Sequence, residues 1–147
     1  MEKEKYSILV VEDEPDIAEL IEFNLKNEGY NVFLASNGEK GIELARKKSP
    51  SLILLDLMLP GIHGIDVCRI LNNDNDTKDI SIIILTALGQ EEDIIKGLET
   101  GADDYITKPF SFPVLEARIR SVLRRYRNEE NSNDVIETDG IFISSRK

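Results

Sequence analysis

The chain has 147 residues, 41% of them hydrophobic, which suits one domain with a genuine core plus a short extra segment and excludes a disordered chain. Its formal net charge is -10, so this fragment is not built to grip nucleic acid by itself, since that affinity rests on cationic contacts to phosphates. A single cysteine, Cys68, excludes an internal disulfide and fits a reducing cytoplasm, and the first apolar stretch, Ile8 to Val11, is far too short for a signal peptide or a membrane span.

Short apolar runs alternate with longer amphipathic stretches. The first run is Ile8-Leu9-Val10-Val11, and the helix after it sets Ile17, Leu20, Ile21 and Leu25 on one face and closes at Gly29. Val32-Phe33-Leu34 is followed by a helix from about Gly38 to Lys47 that stops before Ser49-Pro50. After Leu52-Ile53-Leu54-Leu55, a helix starts near Gly64 and is ended by the polar run Asn72 to Asp76. His63, just ahead of it, reads as a surface loop residue with no partners for a metal site, and Cys68 as a small core residue. The run Ile80 to Leu85 precedes a helix from about Gln90 to Thr100 that ends at Gly101. Tyr105-Ile106-Thr107 precedes a last helix with Leu115, Ile119, Val122 and Leu123 on one face. Three runs are apolar almost without alternation, as strands buried on both faces should be. Five strand-helix units in alternation predict an α/β domain with a doubly wound parallel sheet, right-handed crossovers, and ligands at the carboxyl ends of the strands.

The composition changes after Arg127. Residues 1–128 form the main domain, 129–134 read as a polar linker, and 135–147 read as strand, Asp139-Gly140 turn and strand. The last segment is too short for a core, so it is the clipped start of a second domain or a tail docked on the first.

Chemistry gathers where the strand rule says to look. Glu12 and Asp13 follow the first strand, Asp56 the third, Thr86 the fourth and Lys108 the fifth. Three carboxylates at one edge repel one another and raise each other's pKa values, which a divalent cation relieves. Oxygen ligands without nearby His or Cys favour Mg²⁺ over zinc, with Mn²⁺ as a substitute, and Mg²⁺ sites usually hold phosphate as well. Asp56 can then serve as nucleophile toward phosphorus, with the metal, Lys108 and Thr86 neutralising the equatorial oxygens. Singly, each residue has a plainer role: Asp13 as a cap opening the first helix, Asp56 as a turn residue. The signal is their joint occurrence on four strands in this order.

Val10-Val11-Glu12-Asp13-Glu14, Leu54 to Gly61, Leu85-Thr86-Ala87 and Asp104 to Phe110 resemble the bacterial two-component response regulator receivers over about residues 5–128, and Gly97 to Tyr105 resembles the OmpR/PhoB branch in particular. That resemblance implies a flavodoxin-like (βα)5 domain with strand order 2-1-3-4-5, in which Asp56 accepts phosphate from a histidine kinase. Asp13, Asp56 and the Met58 backbone carbonyl would ligate Mg²⁺, and Glu12 would act through water. Lys108 would contact the phosphoryl oxygens next to a cis Lys108-Pro109 bond. Thr86 would move toward the phosphoryl group and Tyr105 would rotate inward behind it.

The resemblance further implies an output face on the fourth helix, fifth strand and fifth helix that makes a homodimer on phosphorylation, with Asp103 and Asp104 pairing with Arg118 and Arg120 across it. Here the sequence departs from the family: a charged pair is replaced by Ile94 and Val114 beside Leu98, and Glu116 takes a position normally apolar. Met58 and Leu88, both apolar, flank the pocket mouth and are expected to restrict water and lengthen the life of the phosphoryl group.

The linker and terminal strands favour a transcription factor whose DNA-binding domain, absent from this fragment, makes all contact with DNA. Two other readings stand beside it: a stand-alone receiver acting by protein-protein contact, and an aspartyl-phosphate phosphohydrolase. The second lacks the usual acid two residues after the nucleophile, where Met58 stands. A nucleotide-binding module is weaker still, because the first strand-helix turn has no Gly-rich phosphate loop. The expectation is thus a module that acts on nothing but its own phosphoryl group, in the cytoplasm.

Overall fold

A computed structural model describes the backbone of residues 6–139 and the side chains of residues 6–125. Strands β1 (Ser7–Val11), β2 (Asn31–Ala35), β3 (Leu52–Leu55), β4 (Ser81–Thr86) and β5 (Asp104–Thr107) form one parallel sheet in the order β2-β1-β3-β4-β5. Between and after them run α1 (Pro15–Asn27), α2 (Gly38–Lys48), α3 (Gly64–Asn73), α4 (Glu91–Glu99) and α5 (Phe112–Asp139).

The near-continuous apolar runs are explained by two cores, one on each face of the sheet. Leu9, Val11, Ile53, Leu55, Ile82 and Ile84 point to one side, where they meet Ile42 and Ala45 of α2, Val67, Cys68 and Leu71 of α3, and Tyr105. Ile8, Val10, Leu52, Leu54, Ile83 and Leu85 point to the other, against Ile21 and Leu25 of α1 and Leu115, Ile119, Val122 and Leu123 of α5. Burying a side chain of this size contributes about 1.5–3 kcal/mol, so the three central strands dominate the stability.

Local signals fix the helix ends. Glu14 is the N-cap of α1 with Pro15 at its first position, so Asp13 is not used as a cap and remains free for chemistry. Gly29 (φ 99°) closes α1, and Ser49 (φ 46°) closes α2, where the sequence placed those ends. Leu20 departs from expectation: it lies at the margin of the apolar stripe of α1 and is 60% exposed. His63 is exposed, as read, but it also caps α3, its Nδ1 accepting from the Ile65 amide at 3.1 Å. At Gly64 a side chain is impossible, since a Cβ would stand 2.4 Å from Leu57 Cα and 2.5 Å from the Asp56 carbonyl oxygen. This close approach pins the start of α3 to the end of β3.

The last helix corrects the reading of the C-terminus. It runs to Asp139 and takes in residues 129–134, read as a linker, and the start of 135–147, read as a strand. A strand without a neighbour leaves its amide and carbonyl groups unpaired, whereas a helix satisfies them internally. Residues 140–147, with the expected turn at Gly140, lie outside the described residues.

Candidate functional site

Parallel register brings Val11, Leu55, Ile84 and Tyr105 level across the sheet, so the residues that follow these strands share one edge. The Asp56 amide donates to the Val11 carbonyl at 3.1 Å and the Lys108 amide to the Thr86 carbonyl at 2.8 Å, carrying the alignment one residue further.

Side-chain oxygens of Glu12, Asp13 and Asp56 all lie within 4.8 Å of one another, with Glu12 and Asp56 buried and Asp13 exposed. Lys108 reaches into this group. Its ammonium donates to Glu12 Oε1 at 2.7 Å and to Asp56 Oδ2 at 2.9 Å, and Glu14 Oε1 lies 3.8 Å away. The second oxygens are also engaged: the Met58 amide donates to Asp56 Oδ1 at 3.0 Å, and the Glu14 amide to Glu12 Oε2 at 3.2 Å. The bond from Lys108-Pro109 is cis. Burial pushes the Glu12 carboxyl above its ordinary range and Asp56 adds to this, while the hydrogen bonds from Lys108 and the Glu14 amide offset only part. Burial pulls the Lys108 ammonium down, but its hydrogen bonds to Glu12 and Asp56 outweigh that and leave it raised.

Thr86 is fully buried, and its Oγ1 has no hydrogen-bond partner among the described residues. A buried orphan hydroxyl costs about 1–3 kcal/mol and is uncommon in native proteins. Tyr105, level with Ile84 on the adjacent strand, is buried in the core cluster, and its hydroxyl donates to the Leu88 carbonyl in the loop after β4. Leu88 is half-buried and Met58 is 56% exposed. The donor set fits a hard divalent cation: carboxylate oxygens alone, with an exposed member open to water.

The remaining expected residues fall on α4, β5 and α5, away from the carboxylates. Ile94 packs half-buried against the core, whereas Leu98 and Val114 are 44% and 49% exposed. Asp103 Oδ2 accepts from the Ile82 amide at 2.8 Å. Within this single chain, Arg118 Nη1 donates to both Asp104 oxygens at 3.0 and 3.1 Å, and Arg120 Nε to Glu116 Oε1 at 3.1 Å. Glu116 Oε2 in turn accepts from the Tyr30 hydroxyl at 3.3 Å, which explains how a carboxylate occupies a buried place on α5. Sequence reasoning did not find the Glu14 contact, the Leu88 carbonyl or the Tyr30-Glu116-Arg120 chain. Only the last left a trace, the acid at an apolar position of the α5 pattern.

A sheet of this order with this edge places the chain in the CheY-like class. The signal receiver domain of a LuxO repressor protein from Vibrio parahaemolyticus matches it with a TM-score of 0.80 at 33% identity, over 85% of this chain and 95% of that one. The chain belongs to the family of response regulator receiver domains, whose model matches residues 8–120.

Among curated relatives, the transcriptional regulator ycf27 of Porphyra purpurea is 53% identical over 85% of this chain and 50% of its own length. The DNA-binding dual master transcriptional regulator RpaA of Synechocystis is 49% identical over 80% of this chain and 49% of its own. The chain spans about half the length of these relatives. RpaA is a response regulator of the OmpR/PhoB type, the branch the sequence resembles. Receiver domains of this family are generally phosphorylated by histidine kinases, bind Mg²⁺ and are not enzymes in the ordinary sense. Among the described residues no helix is long and apolar enough to cross a membrane.

Proposed function

We propose that this domain accepts a phosphoryl group on Asp56 from the phosphohistidine of a histidine kinase, and that the modification switches the face built from α4, β5 and α5. An Asp56 oxygen attacks phosphorus, the P–N bond breaks, and the imidazole nitrogen leaves with its electron pair. The observation that supports this best is Lys108 held 2.9 Å from Asp56, with the unpartnered Thr86 hydroxyl at the end of the neighbouring strand β4. The ammonium and the hydroxyl are both donors that suit the oxygens of an incoming phosphoryl group.

Asp13, Asp56 and the Met58 carbonyl would hold Mg²⁺, with Glu12 acting through water, and the ion would neutralise charge on the transferring group. The kinase docks on the apolar groove beside the site, lined by Ile17, Leu20, Ile21, Phe110 and Phe112 and continuous with Lys108. Exposed Leu20 and Phe23 extend that surface along α1.

Phosphorylation releases Thr86 toward Asp56 and fixes Tyr105 inward. The α4-β5-α5 face then pairs symmetrically with a second copy through Leu98, Val114 and Ile94, and Arg118 and Arg120 exchange their own carboxylates for Asp103 and Asp104 of the facing copy. A winged-helix DNA-binding domain C-terminal to α5 is the effector; the relatives named as transcriptional regulators support this. The domain works in the cytoplasm and turns over nothing but its own acyl phosphate.

The test is intact mass after incubation with acetyl phosphate and Mg²⁺, quenched in acid. One added phosphoryl group is expected, absent in Asp56→Asn and absent with a chelator; an adduct that survives Asp56→Asn refutes the assignment. Sedimentation of the phosphorylated protein should show a dimer, and a strict monomer at high concentration removes that part. Leu88→Arg, which puts a charged, hydrated side chain in place of an apolar one, should shorten the life of the adduct severalfold as followed by mass, and an unchanged decay would show that Leu88 does not restrict water.

A further inference from the structure

Gly97 lies buried in α4, above the side chains of β4 and β5. Its backbone is ordinary helix, so no unusual dihedral demands glycine there, and in a helix interior glycine is disfavoured relative to alanine. What demands it is space. A Cβ at this position would stand 2.7 Å from Ile84 Cδ1 and 3.2 Å from Cδ2 and Cε2 of the Tyr105 ring. Carbon atoms in contact prefer about 3.5–4.0 Å, so a methyl group would overlap both neighbours. Ile84 is fully enclosed, whereas Tyr105 keeps 9% exposure and so is the neighbour with a way out.

We infer that Gly97 is a positioning residue for the switch: its missing methyl group leaves the space in which Tyr105 sits inward, hydroxyl bonded to the Leu88 carbonyl. This rests on the reading of Tyr105 as the element coupled to Asp56. A ligand that favours the inward arrangement binds more tightly when that arrangement is already populated. Gly97 therefore raises the affinity of the acceptor site for a phosphoryl group without touching it.

The experiment uses protein labelled with 3-fluorotyrosine, the Tyr105 resonance being assigned by its loss in Tyr105→Phe. The probe is beryllofluoride with Mg²⁺, which stands in for the acyl phosphate. Gly97→Ala should move the Tyr105 resonance toward that of exposed tyrosine and weaken beryllofluoride binding about fivefold or more. Ile84→Val with Gly97→Ala removes the nearest overlap and keeps the one with the ring, so it should show the same shift if the single variant folds poorly. On a Tyr105→Ala background, Gly97→Ala should change binding no further. An unmoved Tyr105 resonance, or an equal loss of binding on both backgrounds, overturns the inference, because glycine would then serve α4 alone. If Tyr105→Ala by itself leaves binding unchanged, the coupling of Tyr105 to Asp56 is what fails, while the resonance still reports on Gly97.

Discussion

Lys108→Ala should accept phosphate from acetyl phosphate about 100-fold more slowly than the wild type, and in chelator its stability should fall as the pH rises from about 4 to 7. The rate effect follows from removing the ammonium that stands 2.9 Å from Asp56. The stability effect follows from what is left behind. Glu12 and Asp56 are 3% and 4% exposed, and without the ammonium they are two adjacent buried carboxylates. The Glu12 carboxyl is already raised above 4.5 by burial, even with Lys108 partly offsetting it. An acid whose folded pKa is raised binds its proton more tightly folded than unfolded. Its burden is therefore absent at low pH and grows as the pH rises through that window. In the wild type, Lys108 has the opposite role: its raised pKa gives a contribution that is complete below the ordinary lysine range and is lost only in strong alkali. Thermal melts from pH 4 to 8, with and without Mg²⁺, would check this. A variant whose melting temperature tracks the wild type throughout would show that the ammonium is not what makes the acid cluster tolerable.

Thr86→Val should separate stability from response, with opposite signs. The hydroxyl is buried without a partner among the described residues, so replacing it by a methyl group of similar shape should stabilise the resting protein by about 1–2 kcal/mol. For a domain of this size that is several degrees in melting temperature. On the proposed function, the same change removes a donor to the phosphoryl oxygens. Phosphorylation should slow by about tenfold to a hundredfold, and the phosphorylated variant should lose its tendency to pair. Calorimetry and sedimentation of one preparation would read both effects. Destabilisation by Thr86→Val would mean that the hydroxyl has a resting partner.

The strands and the acid edge were legible because each depends on few competing interactions. A run such as Leu52 to Leu55 has no polar face to offer, so it lies in the middle of a two-sided sheet, and Asp56 then has one place to be. Leu20 was misplaced because spacing alone does not separate the centre of an apolar stripe from its margin. Asp104 and Arg118, which the family resemblance pairs across a dimer, also reach one another within a single chain. His63 looked idle because a capping imidazole leaves no periodic trace. The end of α5 was misread because a turn dipeptide was weighed without asking what the flanking strands would pair with.

The resting position of Tyr105 also bears on how much signal the module can deliver. The ring is buried, with its hydroxyl held by the Leu88 carbonyl. In any two-position element, the largest obtainable gain is the ratio of the populations after and before the stimulus. The larger the share of the unstimulated population that occupies the inward position, the higher the floor of that ratio and the smaller the stimulus needed to reach its ceiling. A contact that favours the inward ring, as the space left by Gly97 does, therefore trades dynamic range for sensitivity, and removal of phosphate lowers the output only to the floor that the inward population sets.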